Sequence, residues 1–263
     1  MYHDSEAAQW EQFTVRVNTF RRNDLLKKSV DHFTTCLKVR EVQVVWSDLD
    51  EAPPPKSLFA KHARKKVVVE THMENSLSNR FKVRVPLDTQ AVLSIDDDLI
   101  ISCDVLDTAF TAWRASPNSL VGFVPRLVSF NGEKGEYEYR RWWLTWWNGI
   151  YNIILTKACF LNKRLLHQYF ELVPEAFLQY IDKHRNCEDI AMSFVAAMDS
   201  QAPPVWVKGK VTDAKPSGGI SKDSEHDAER SACVNELVAQ IGRFPLTLSN
   251  LKVTPARDFW LWF

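Results

Sequence analysis

The chain has 263 residues, 45% apolar and 12% aromatic, enough to fill a sizeable core in one α/β domain. Its 33 Lys plus Arg balance 33 Asp plus Glu, which argues against a nucleic-acid binder, since those carry a basic excess. No apolar run reaches membrane-spanning length, the start MYHDSEAAQWEQF lacks a basic-then-apolar leader pattern, and five scattered cysteines without a CxxC pair argue against zinc.

FTVRVNTF (13–20) alternates apolar and polar residues and predicts a strand. NDLLKKSVDHFTTCL follows, with Leu25, Leu26, Val30, Phe33 and Leu37 at helical spacing behind an Asn/Asp start. EVQVVW predicts a second strand, EAPPPKS a loop and KKVVVE a third strand. After the polar stretch THMENSLSNRFKVRVPLDT, AVLSI predicts a fourth. This alternation is the pattern of a mostly parallel, doubly wound sheet, and no linker divides residues 1–263. Further on, LVGFVPRLVSF predicts one strand, or two broken at Pro125. KRLLHQYF, PEAFLQYIDKHR, CEDIAMSFVAAM and RSACVNELVAQIG predict helices, PVWVKGKV a late strand, and DAKPSGGISKDSEHDAE a polar loop.

Asp96, Asp97 and Asp98 close the fourth strand, at the sheet end where ligands collect in such folds. Carboxylates so crowded repel one another and need a positive partner. A hard divalent ion that keeps positions open for a substrate phosphate answers this; a solvated acidic loop or a helix N-terminus answers it as well. Glu188 and Asp189 open the helix of CEDIAMSF, with Ile190, Phe194 and Val195 inward. They serve either the helix dipole or a reacting carbon beside which a buried carboxylate is wanted. In RRWWLTWWNGIYN, a helix sets Trp142, Trp143, Trp146 and Trp147 on one broad face and a strand splits them between two, and at least two of them are expected in the core. Arg140 and Arg141 beside them suit phosphate, acidic lipid or plain solvent. Five cysteines fit a reduced protein or a luminal one with a single disulfide.

Seven motifs in order, VNTFRRNDLL, VQVVW, NSLSNRF, AVLSIDDDLIIS, LVGFVPR, NCEDIAMSF and ERSACVN, make the chain resemble the exostosin-like glycosyltransferases of family 64 from Phe13 to about Pro255. WWLTWWNGIYNIILTKACF and APPVWVKGKV resemble the plant branch, which includes a mannosyltransferase of glycosylinositol phosphorylceramide. The resemblance implies a GT-A fold: a mixed, mostly parallel sheet flanked by helices. It implies a retaining, Mn2+-dependent transfer from a nucleotide sugar, GDP-mannose before UDP-GlcNAc, to a glycan or glycolipid in the Golgi or endoplasmic reticulum lumen. Asp98 then becomes the metal ligand, Asp96 a donor-sugar or water-mediated contact, and Asp97 a ribose or sugar contact. Arg22 and Asn75 lie near the nucleotide, Arg80 near the diphosphate or sugar, Asp189 beside the anomeric carbon, and Arg230 on the diphosphate. Cys187 and Cys233 take the family's disulfide. Glu188, Ser47 and Asp48 depart from the animal pattern, which has an aspartate and asparagines there, and the loop SGGISKDSEH is shorter.

Overall fold

The computed structural model describes residues 9–140, 142–214 and 224–256. The first half folds as β1 (Phe13–Thr19), α1 (Asn23–Phe33), β2 (Val39–Trp46), β3 (Val67–Thr71) and β4 (Ala91–Asp96), in line with its apolar patterning. Helix α1 stops at Phe33, so Leu37 is 90% exposed rather than inward. The hydroxyls of Thr34 and Thr35 turn back onto the carbonyls of Val30 (2.9 Å) and His32 (2.7 Å), a competition that ends helices. After β5 (Leu99–Ile101) comes a helix the sequence reading did not assign, α2 (Cys103–Ala115), burying Leu106, Ala109, Phe110 and Trp113.

LVGFVPRLVSF divides before Pro125 into β6 (Val121–Gly122) and β7 (Pro125–Asn131), the second of its two readings. Strand β7 pairs antiparallel with β8 (Glu136–Arg140) and β9 (Ile153–Ile154), with α3 (Trp142–Asn148) between these two partners in the chain. There follow β10 (Ala158–Asn162), α4 (Lys163–Leu172), α5 (Glu175–His184), α6 (Glu188–Ser200), β11 (Val205–Val207), β12 (Val211–Asp213), α7 (Ser224–Ile241) and β13 (Lys252–Val253).

The central sheet has the order β13-β11-β6-β10-β4-β1-β2-β3. Its strands pair in parallel except β10, which runs antiparallel to both neighbours, so the sheet is mixed and mostly parallel, as expected. From β1 the chain builds outward through β2 to β3, then returns to place β4 on the other side of β1. That reversal opens a crevice at the carboxyl ends of β1 and β4. Asn18 pairs there with Asp96. Alternation along β4 and β10 feeds two cores, one on each face: Leu93, Ile95 and Phe160 join one, Val92, Cys159 and Leu161 the other.

The tryptophans correct an expectation. Helix α3 does set all four on one broad face, but that face is outward: Trp142, Trp143, Trp146 and Trp147 are all more than half exposed. Only Thr145 of this short helix is buried, so no second layer among the described residues covers the indoles.

One buried polar network sits in the sheet. Arg16 on β1 forms a two-pronged ion pair with Glu70 on β3 (3.0 and 3.2 Å), Gln43 accepts from Arg16 at 2.6 Å, and His72 Nε2 lies 2.8 Å from Glu70. Burial pushes the Glu70 carboxyl up, but His72 and Arg16 overcome it and hold it at about 2 against an ordinary 4.5. Glu70 therefore contributes stability that is complete above pH 4.5 and lost as pH falls through 4.5 toward 2. Glu70→Gln is expected to cost about 3 kcal/mol at neutral pH. Urea unfolding at pH 7 and in acid checks this: the gap to the parent protein closes as pH falls, and a gap independent of pH would contradict it.

Candidate functional site

The site begins where β1 and β4 end. Asp97 donates its backbone N–H to the Asn18 carbonyl (3.2 Å), and Asp98 accepts at its carbonyl from Ala214 (2.7 Å), which fixes the turn. Arg21 adopts a left-handed backbone, φ 55°, which sends the two adjacent arginines apart. Arg21 spans Asp48 (2.6 Å) and Asp50 beyond β2. Arg22 reaches the aspartate turn, with Nη1 at 3.0 Å from Asp98 and Nη2 at 2.6 Å from Asp97 Oδ1, the latter an ion pair without hydrogen-bond alignment. Thr19 donates to the other Asp97 oxygen at 2.6 Å. Asp97 is wholly buried between these two, and burial pushes its carboxyl up to about 6.

Arg80 ends a 310 turn, Leu77–Arg80, that Ser76 caps by accepting from the Ser78 N–H. Its guanidinium donates to Asp96 (2.8 Å) and Thr156 (3.3 Å), and its Nε lies 3.6 Å from Glu188. Glu188 and Asp189 form the first turn of α6, a helix buried on every side through Ala197. One guanidinium thus ties the aspartate turn to the acidic helix start.

Asp189 accepts from the Ile190 N–H (2.8 Å) and is ion-paired with Arg230 of α7. Arg230 also donates to Asn186 (3.2 Å) and lies 4.8 Å above the Tyr139 ring. Burial pushes Asp189 up, but Arg230 prevails and holds it below the usual carboxylate range. Glu188 goes the other way, to about 6, because burial outweighs its attraction to Arg80. The Cys187–Cys233 disulfide closes this corner, with Cα atoms 6.3 Å apart, linking the residue before α6 to the middle of α7. A second disulfide, Cys36–Cys103, joins the end of α1 to α2, so two bonds exist rather than one. Cys159 is the free, buried thiol.

Among Asp96, Asp97, Asp98, Glu188, Asp189, Arg22, Arg80 and Arg230, five acids face three cations. Two buried donors, Arg80 Nε and Arg230 Nε, meet no hydrogen-bond acceptor among the described residues. Crowded carboxylates beside N–H donors without an acceptor among the described residues suit a ligand set carrying both signs: a hard dication and an oxyanion. No three carboxylates among the described residues converge tightly. The tight trio found is His32, Cys36 and Cys103, whose thiols form a disulfide. An ion here would take much of its shell from a ligand and water.

Asn75 sits at the surface, its side chain accepting from Arg185 at 2.9 Å. Asn79, buried one residue before Arg80, was not singled out from the sequence; it donates to Ser47 (3.0 Å) and the Glu74 carbonyl (2.7 Å). Its place in NSLSNRF was the available signal. Arg140 pairs with Glu138 and Ser129. Arg141 and residues 215–223 of the polar loop lie outside the described residues.

Residues 13–259 match the model of the Glycosyl transferase family 64 domain, close to the limits the motif series implied. The Arabidopsis thaliana protein named glycosylinositol phosphorylceramide mannosyl transferase 1 is 40% identical over 95% of this chain and 78% of its own length. Human exostosin-2 is 32% identical over 94% of this chain, and the rice (Oryza sativa subsp. indica) glucosamine inositolphosphorylceramide transferase 1 is 31% identical over 90%. The chain spans 34% and 32% of the length of these last two.

Because Cys187 and Cys233 flank Asp189 and Arg230 in sequence, their bond constrains this ion pair as well as the fold. Replacing both by Ser is expected to cost about 4 kcal/mol on loop-entropy grounds. Turnover should fall further than unfolding explains, when denaturation curves and rates are compared at a temperature where the variant is folded.

Proposed function

The chain belongs to glycosyltransferase family 64 and is a glycosyltransferase, and we propose that residues 1–263 act as one retaining, Mn2+-dependent domain. It moves a sugar, with GDP-mannose the favoured donor, to a glycan or a glycolipid of the glycosylinositol phosphorylceramide class. What carries the reading is Arg80, which joins the aspartate turn at Asp96 to the acidic start of α6 at Glu188.

In this reading Asp98 would hold Mn2+, with Asp96 a donor-sugar or water-mediated contact, and the ion would supply positive charge to the departing diphosphate. Arg80 and Arg230 offer their unmet N–H groups to that same charge, in place before it develops. Arg22 and Asn75 lie on the nucleotide side, and Asp97 holds the turn through Thr19 and Arg22. Arg230 keeps Asp189 ionised against the donor sugar. There the carboxylate serves as a transient nucleophile, or it stabilises an ion pair while the acceptor hydroxyl attacks from the leaving-group side.

Support for GDP-mannose comes from the name of the Arabidopsis relative, a mannosyl transferase, and from the plant-like stretches WWLTWWNGIYNIILTKACF and APPVWVKGKV. The exostosin and glucosamine-transferase relatives support UDP-GlcNAc as the second reading. Two disulfides suit an oxidising lumen, Golgi or endoplasmic reticulum. No helix among the described residues is long and apolar enough to cross a membrane. The uncharged α3, with its four outward indoles, suits contact with a lipid surface.

With Mn2+ present, GDP-mannose should raise the melting temperature more than UDP-GlcNAc does. Asp189→Asn should lose at least a thousandfold in transfer while keeping that donor-induced shift. Near-normal turnover of Asp189→Asn would remove it from the mechanism, and no shift with any nucleotide sugar would favour a carbohydrate-binding scaffold without activity. Serine at Trp142, Trp143, Trp146 and Trp147 together should cut transfer to a vesicle-borne glycolipid about tenfold and leave donor hydrolysis intact. Unchanged transfer to vesicles would end the lipid-surface role.

A further inference from the structure

Arg80 lies at the start of a stretch, residues 81–90, that has neither helix nor strand, so no backbone ladder fixes it. Side chains do so instead. Arg16 uses every N–H it has. Nε donates to the Arg80 carbonyl (3.2 Å), Nη1 to Gln43 and Glu70, and Nη2 to Glu70 and the Lys82 carbonyl (2.8 Å). Glu70 completes the set by accepting from the backbone N–H groups of Arg84 (3.0 Å) and Val85 (3.1 Å).

We infer that the buried Arg16–Glu70 pair is a positioning device: it grips the segment 80–85 by four backbone groups and so sets where the Arg80 guanidinium stands between Asp96 and Glu188. Stability alone does not require such a pair. Well-packed apolar residues of similar volume often serve as well or better, whereas an apolar pair could not hold two carbonyls and two N–H groups of an irregular segment. The required accuracy is severe, because a reacting group misplaced by about 1 Å can cost on the order of a hundredfold in rate. The consequence for catalysis rests on the role proposed above for Arg80; the consequence for the segment does not.

Two variants test it, Arg16→Lys and the neutral double substitution Arg16→Gln with Glu70→Gln, so that failure of one to fold leaves the other. Hydrogen exchange in the folded protein should show the Arg84 and Val85 amides losing protection at least tenfold relative to the β2 and β4 amides. Transfer from GDP-mannose with Mn2+ should lose ten- to a hundredfold in kcat with a smaller change in acceptor KM. In an Arg80→Ala background the same substitutions should change kcat less than threefold, since the residue they position is gone.

Unchanged protection at Arg84 and Val85 in a folded variant would overturn the inference, whatever the enzyme does. A loss of rate as large in the Arg80→Ala background as in the parent would overturn it too. If exchange rises as expected but Arg80→Ala transfers sugar normally, the positioning stands and the proposed role of Arg80 falls.

Discussion

Arg80 is the cation on which the site's geometry depends, because it is shared between acidic groups from opposite halves of the chain. Asp96 ends a sheet strand and Glu188 opens a helix, the first partly buried and the second buried beside further carboxylates. Without the guanidinium the two groups would repel across a medium that screens poorly. At an effective dielectric near 20, a charge pair at about 4 Å is worth about 4 kcal/mol, on the scale of what a buried carboxylate loses by leaving water. The bridge also explains the shape of Arg80's surroundings. Thr156, just before the antiparallel strand β10, accepts from the same guanidinium, so three parts of the chain meet at one side chain.

The fold supplies the crevice and the ion pairs supply its lining. Strand β1 ends in Thr19 and Arg22, β4 in the aspartates, and their pairing at Asn18 and Asp96 brings them level. The left-handed residue Arg21 is what allows consecutive arginines to serve different acids, one beyond β2 and one beyond β4. On the far side, the Cys187–Cys233 bond holds α6 against α7, and so Asp189 against Arg230. Each acid of the site thereby acquires a partner from another element, and no element carries a complete pair by itself.

How much of this was legible follows from how local each signal is. The four parallel strands at the start were readable because their apolar residues run or alternate without interruption, and α6 because two acids open a long, mostly apolar run without Gly or Pro. Helix α2 was missed although Leu106, Phe110 and Trp113 show the same period, since charged and hydroxylated residues fill the positions between. Strands β8 and β9 escaped for a different reason: they are held by pairing within a small antiparallel sheet, and EYEYR buries only Tyr139 fully. The tryptophans misled because burial is the usual fate of an indole, whereas a short helix with one buried residue offers no core to enter. The strand end pointed to Asp96 and Asp98 and the helix start to Asp189, while their expected roles, and Arg80 and Arg230 themselves, came from motif order, a signal of kinship and not of spacing. The pair Arg16 and Glu70 could not have been read at all, since its partners lie on different strands and only the fold brings them together.

The imbalance left in the site says what kind of ligand would complete it. Asp96, Asp97 and Asp98, crowded at one turn, suit added positive charge, while Arg80 Nε and Arg230 Nε, buried and lacking acceptors among the described residues, call for added oxygen acceptors. A lone cation would answer the first demand and crowd the arginines. A lone anion would answer the second and deepen the repulsion with the carboxylates. A dication carried together with a diphosphate answers both, and a neutral glycan answers neither. The same reasoning separates the two ends of the site. On the proposed reading the aspartate turn, where acids predominate, would take the metal, and the Arg230 corner, where Asp189 is paired with a cation, would let an ionised carboxylate face a sugar.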